Sequence, residues 1–154
     1  MKAKTLVWTL ALCSLGVAVC FAQDAQMGTW KLNEAKSKLA PGGPKNTMVV
    51  YEAAGDSVKI TLEGVGSDGK STHNEWTGKF DGKDYPVTGD PNSDARSYTK
   101  IDDHTLGFNV KQGGKMTMSG RIAVSADGKT RTVTVSGTEP TGKKFKSTAV
   151  YDKQ

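Results

Sequence analysis

Three stretches of this sequence have the residue types and spacing of chemical sites. The run Gly64-Val65-Gly66-Ser67-Asp68-Gly69-Lys70-Ser71 satisfies the phosphate-loop pattern G-x-x-x-x-G-K-[ST], and its first six residues also satisfy G-x-G-x-x-G. Both patterns hold phosphate only where a strand ends and a helix begins, because the loop amides and the helix N-terminus supply the positive end. Here Ser71 to Phe80 alternate like a strand, with Asn74, Trp76 and Phe80 on one side, and run into another Asp-Gly pair. The expectation is a glycine-rich hairpin that binds no nucleotide. The second stretch, Asp90-x-Asn92-x-Asp94, opens like a calcium loop, but Ala95 replaces the turn glycine and Ile101 the bidentate glutamate. A surface loop is expected instead. The third feature is the pair His73 and His104, the two histidines of the chain. His73 falls on the polar side of its strand, and His104 sits in the turn Asp102-Asp103-His104. A metal or haem centre needs histidines converging on an interior, so neither metal nor cofactor is expected. No Ser/His/Asp arrangement is evident, and the acids cluster in turns. No catalytic residue is assigned, and the chain reads as a non-enzyme.

The first residues determine what remains to fold. Lys2 and Lys4 precede an apolar, uncharged run from Thr5 to Val19, and Cys20-Phe21-Ala22 offers a small-x-small cleavage site before Gln23-Asp24. This is the pattern of a secretory signal peptide over residues 1–22. The apolar run is shorter than the ~20 residues of a spanning helix, so no stable membrane span is expected once the leader is cut near Ala22. Val19 before Cys20 argues against lipidation, which wants a small residue there. A periplasmic or secreted protein is expected. Residues 23–154 then form one domain, because 132 residues suit a single core. Cys13 and Cys20 leave with the leader, so the mature chain carries no disulfide and no thiolate site. Its net charge is +3, with Lys143, Lys144 and Lys146 the densest basic group. Lysines on an outer strand face serve solubility and block edge pairing. A polyanion surface is the second reading of that group, and no nucleic-acid partner is expected.

Short alternating runs separated by Gly and Asp turns fill the mature chain. Asp68-Gly69, Asp81-Gly82, Asp127-Gly128 and Gly113-Gly114 supply the backbone angles of tight hairpins. The runs between them read as strands near 28–33, 46–54, 57–63, 71–80, 84–88, 95–101, 105–111, 115–124, 129–137 and 143–151. One helical turn is expected near Glu34 to Leu39, stopped by Pro41-Gly42-Gly43-Pro44. Each strand is apolar on one side only. Val58, Ile60 and Leu62 share a face, as do Leu106, Phe108 and Val110; Met116, Met118, Ile122 and Val124; Val133 and Val135; and Phe145, Ala149 and Tyr151. Successive hairpins without long crossovers favour an all-β, antiparallel up-and-down barrel of about 8–10 strands, expected as a monomer.

The mature start Met27-Gly28-Thr29-Trp30-Lys31-Leu32 resembles the Gly-x-Trp opening of lipocalins and other calycins, in which the Trp begins the first strand and closes the barrel floor. Ten short strands resemble the fatty-acid-binding-protein branch. Gly28–Leu32, Ala35–Lys38, Asp81–Val87 and Ala149–Lys153 also resemble a group of small exported bacterial proteins. The lipocalin resemblance implies a basic residue packed on the Trp, and Arg131 is the candidate because it shares a face with Val133 and Val135. Two departures stand out. Only about 12 residues join the first two strands, where fatty-acid-binding proteins have a helical lid. Ala149 stands where their last-strand Arg-x-Tyr pair has its arginine, while Arg96-x-Tyr98 has that spacing in an earlier strand.

Three functions remain open. The first is a barrel holding a small apolar or amphipathic molecule, with Trp30, Trp76, Tyr85, Phe108, Met116, Met118, Arg131 and Tyr151 as candidate ligand-binding residues. Methionines suit a loosely specified apolar ligand. The second is a solid barrel acting through its surface. The third is a haem-binding calycin enzyme like the ten-stranded nitrobindin-type barrels, which also start Gly-Thr-Trp.

Overall fold

The alternating runs fold into ten strands, seen in a computed structural model that describes residues 24–139 and 141–154; the expected leader, residues 1–22, lies outside them. They are β1 (Gly28–Leu32), β2 (Lys45–Ala54), β3 (Ser57–Val65), β4 (Ser71–Gly78), β5 (Tyr85–Thr88), β6 (Ala95–Lys100), β7 (Thr105–Gln112), β8 (Lys115–Val124), β9 (Thr130–Thr138) and β10 (Lys144–Lys153). Each pairs antiparallel with the next, and β10 pairs with β1, so the sheet closes on itself. The result is an all-β, closed up-and-down barrel, an architecture that fits the calycin resemblance. A single 3-10 turn, Glu34–Lys36, lies where a helical turn was expected, and the Asn33 side chain accepts a hydrogen bond from the Lys36 amide. Among the described residues no helix is long and apolar enough to cross a membrane.

Turn chemistry explains the hairpins. Between β8 and β9, Gly128 takes φ of 71°, and the Asp127 carboxylate accepts from the Lys129 amide at 3.1 Å and from the Ser125 hydroxyl. The phosphate-loop lookalike is the β3–β4 turn. Its Gly66 and Gly69 amides donate to Lys70 and Gly66 carbonyls, and a strand follows it. The element after it is a strand, so the loop lacks the helix N-terminus on which the phosphate-loop pattern depends.

The apolar faces meet inside. Tyr51, Ile60, Trp76 and Val87 lie in register across β2 to β5, and Tyr98, Phe108, Gly120, Val135 and Ser147 across β6 to β10. Trp30, Ile60, Trp76 and Leu106 are wholly buried; burial of a large apolar side chain is worth about 1.5–3 kcal/mol. Gly120 and Gly137 are inward positions without side chains, and the rings of their direct partners, Phe108 and Phe145, lie over them. A methyl group at Gly120 would meet the Phe108 ring at 2.6 Å and the Thr134 carbonyl closer still. Because one of those neighbours is backbone, Gly120→Ala is expected to lower unfolding free energy by about 1–3 kcal/mol, read as a lower urea midpoint at unchanged slope.

Met116 departs from the expectation. The β7–β8 register shifts between Val110 and Lys111, so Met118 pairs with Val110 but Met116 with Lys111, and Thr117 is the extra residue. A bulge of this kind interrupts the two-residue alternation. Met116 therefore leaves the inward series and is 59% exposed. The expected 71–80 strand also ends early, at Gly78. Beyond it Phe80 accepts from the Lys100 amide and Asp81 bridges Thr99, so the chain has already crossed toward β6. β5 is consequently short and joins each neighbour at only two ladder positions.

Candidate functional site

One end of the barrel is closed by its own chain. Residues 24–27 form a turn in which the Met27 amide donates to the Asp24 carbonyl. This carries Gln26 beneath the barrel, where its Nε2 donates to the His104 carbonyl at 3.1 Å. The Trp30 indole donates to the Gln26 carbonyl at 2.8 Å. The early part of β1 is held to the barrel floor by these contacts.

Arg131, at the start of β9, sits above this floor and is 3% exposed. Its guanidinium carbon lies 4.6 Å from the Tyr51 ring centroid, 5.6 Å from that of Tyr151 and 5.9 Å from that of Trp30. Contacts of this kind with an aromatic face are attractive. One nitrogen, Nη2, donates to the Tyr51 hydroxyl at 2.7 Å. Nε and Nη1 are buried without a hydrogen-bond partner, and among the described residues no carboxylate pairs with Arg131. The phenols do not supply a counter-charge. Burial pushes the Tyr51 hydroxyl well above the usual tyrosine range, against the pull of Arg131, and burial raises Tyr151 too. Both stay neutral. A buried cation without an anion is costly, which marks this corner as chemically incomplete.

From Arg131 the inward side chains of β9 and β10 grade from buried to half-exposed. Tyr151 is buried, whereas Val133, Val135, Ala149 and Phe145 are only partly so, as are Phe108 and Met118 on β7 and β8. Solvent thus reaches the interior beside β8 to β10. At the rise of a strand, Arg131 and Val135 are about 13 Å apart. The wall across β4 to β7 is aromatic. Trp76 meets Tyr85 edge-on at 5.7 Å and Tyr98 at 4.7 Å, and Tyr98 lies 6.0 Å from Phe108.

The expected residues are therefore divided. Trp30, Arg131 and Tyr151 converge at the closed end. Trp76, Tyr85 and Phe108 belong to the aromatic wall, Met118 faces the half-exposed side, and Met116 is outside. The sequence reading missed Tyr51, whose hydroxyl accepts the hydrogen bond that the Arg131 guanidinium makes among the described residues. It also missed Tyr98, whose spacing from Arg96 was the available signal. Arg96 is 6% exposed; its Nη2 donates to Asp90 at 2.7 Å, and Ser93 donates to the same carboxylate at 2.6 Å. Asp90, of the calcium-like stretch, is thus an ion-pair partner for a buried arginine.

Neither histidine faces the interior. His73 lies outside on β4, where Glu63 pairs with its Nδ1 at 2.5 Å and Glu75 lies 3.6 Å from Nε2. The hydrogen bond and charge of Glu63 hold the imidazolium above the usual histidine range. A raised pKa means that protonation stabilises the fold: the contribution is complete below about pH 6.5 and disappears as pH rises through the folded value. Thermal melts should show His73→Asn destabilising the barrel at about pH 5.5 and matching the parent near pH 9.

The sequence matches no protein-family model and no curated protein. Among solved structures, the chain is similar to EF1p2_mFAP2b bound to DFHBI, with 12% identity and a TM-score of 0.49, covering 84% of this chain and 94% of that one. It is also similar to a redesigned beta barrel, mFAP1, bound to DFHBI, with 18% identity and a TM-score of 0.46, covering 84% of this chain and 98% of that one.

Proposed function

We propose that this chain is an exported, non-catalytic, calycin-like barrel that holds a small amphipathic molecule, its anionic group at Arg131 and its apolar part along β9 and β10. The observation that carries this reading is Arg131: a buried guanidinium of which two nitrogens, Nε and Nη1, have no hydrogen-bond partner, and with which no carboxylate pairs among the described residues. A ligand carboxylate or similar anion would satisfy the donors and neutralise the charge together. The half-exposed apolar side chains beyond Arg131 offer the rest of such a molecule a surface, as small-molecule sites combine apolar walls with a few polar anchors. A second reading, a solid barrel acting through its surface, is favoured by the Phe108 and Phe145 rings that fill the space over Gly120 and Gly137.

Native mass spectrometry of the protein purified from the periplasm, before and after organic extraction, separates the two. An added small-molecule mass that extraction removes supports the ligand barrel. A bare mass that stays bare with a panel of fatty acids and other apolar carboxylates moves the solid barrel to first place.

A further inference from the structure

Charge is unevenly distributed along this chain. Residues 24–111 hold eleven Lys and Arg against thirteen Asp and Glu, whereas residues 112–154 hold eight against three. The second segment is β8, β9 and β10, three neighbouring strands of the closed sheet. Most of the ion pairs lie on the other part of the barrel, and among the described residues Lys115, Arg121, Lys144 and Lys146 enter none. Net positive charge is therefore concentrated on one side of the molecule.

The outer surface there is hollowed. A depression of about 600 Å³ is lined on β7 to β10 by Asn109, Ser119, Arg121, Thr134, Ser136 and Lys146, with no carboxylate among its lining residues. Short side chains create it: Asn109, Ser119, Ser136 and Lys146 form one cross-strand row, and Gly107, Arg121, Thr134 and Thr148 the next. Ile101, 47% exposed, stands over Gly107 at its edge. Arg121 and Lys146 are two strands and one row apart, so their backbones are about 12 Å from each other. Cations so spaced suit charges repeated along one chain better than a single small anion.

We propose that this hollowed outer face of β7 to β10 docks a linear acidic polysaccharide, its acidic groups at Arg121 and Lys146 and its hydroxyls on the Asn, Ser and Thr rows. The inference rests on the outer face alone and stands independently of what the interior holds. Nucleic acid fits less well, because no outward aromatic on these strands offers a base a stacking surface. A lipid surface fits less well too, because the face has no apolar band to enter the acyl boundary.

The test is titration calorimetry of the mature protein with alginate, a linear polymer of uronic acids, at low and moderate salt. The double variant Arg121→Gln/Lys146→Gln is compared with the control Lys70→Gln/Lys83→Gln, which removes equal charge elsewhere. Two exposed ion pairs at the upper end of their usual worth give about a thirtyfold loss of affinity in the first variant, and the control should match the parent. The proposal is overturned if alginate does not bind, or if both variants lose affinity equally. It also falls if single-stranded DNA or anionic phospholipid vesicles displace alginate at equal charge. All four side chains are exposed, so each variant should keep the parent circular-dichroism spectrum.

Discussion

Replacing Trp30 by alanine should destabilise the barrel by about 3–5 kcal/mol, the usual effect of deleting a buried aromatic ring, and lower the melting temperature by roughly 10–20 °C for a domain of this size. Trp30 is wholly buried, and its indole is the hydrogen-bond donor that ties β1 to Gln26. Arg131 and Lys153 both hold a cation within 6 Å of its ring. Truncation therefore opens a cavity, orphans the Gln26 carbonyl and removes an aromatic neighbour from an already under-satisfied guanidinium. Trp30→Phe should recover most of the packing but not the hydrogen bond. Calorimetric scans of the three proteins check the ranking; a loss below about 1 kcal/mol for the alanine variant would mean that the floor does not depend on this residue.

Arg131→Met should do the reverse: a large loss of ligand with little change in stability. Methionine fills a similar volume, and removing a buried charge relieves its desolvation penalty, so apolar replacement of buried ionic groups is often neutral or stabilising. Against that stands the Tyr51 hydroxyl, left without its partner at about 1–3 kcal/mol. The net change in the ligand-free protein should lie within about 2 kcal/mol of zero. Loss of a buried, hydrogen-bonded charge pair with the ligand costs about 2–5 kcal/mol, or roughly 30-fold to several-thousand-fold in affinity. Extracted parent protein and variant, titrated with the molecule recovered from the parent, give both quantities. A variant that melts as early as Trp30→Ala would make Arg131 a structural clamp, and one that binds normally would remove it from the site.

The strands were readable because turn chemistry and period-two alternation agree nearly everywhere. Asp127-Gly128 and the run Thr132 to Ser136 each point to the same hairpin, and Arg131 could be placed inside because it shares parity with Val133 and Val135. Where alternation fails, so does the reading. Met116 and Met118 have the same parity, and nothing local announces the extra residue between them; the slip is a property of the β7–β8 pair. Tyr51 closes the run Met48-Val49-Val50-Tyr51, which is apolar on both sides and indicates no face. Arg96 was hidden for a different reason. A strand arginine normally reads as solvent-facing, and what permits its burial is Asp90, reached across the β5–β6 loop. The incompleteness around Arg131 is likewise a three-dimensional fact, since Tyr51 and Arg131 are 80 residues apart.

The seam between β1 and β10 joins the first and last strands of the barrel, with Trp30 opposite Lys153 and the Gln154 amide donating to Thr29. No contact of that seam exists until β10 has been synthesised, so the barrel cannot close progressively from β1. Until then β1 and β9 are bare edges, ready to pair with another chain. A chain cut before Lys144 should therefore self-associate instead of persisting as a nine-stranded monomer, and folding should be slow, as it is where the decisive pairing spans nearly the whole sequence.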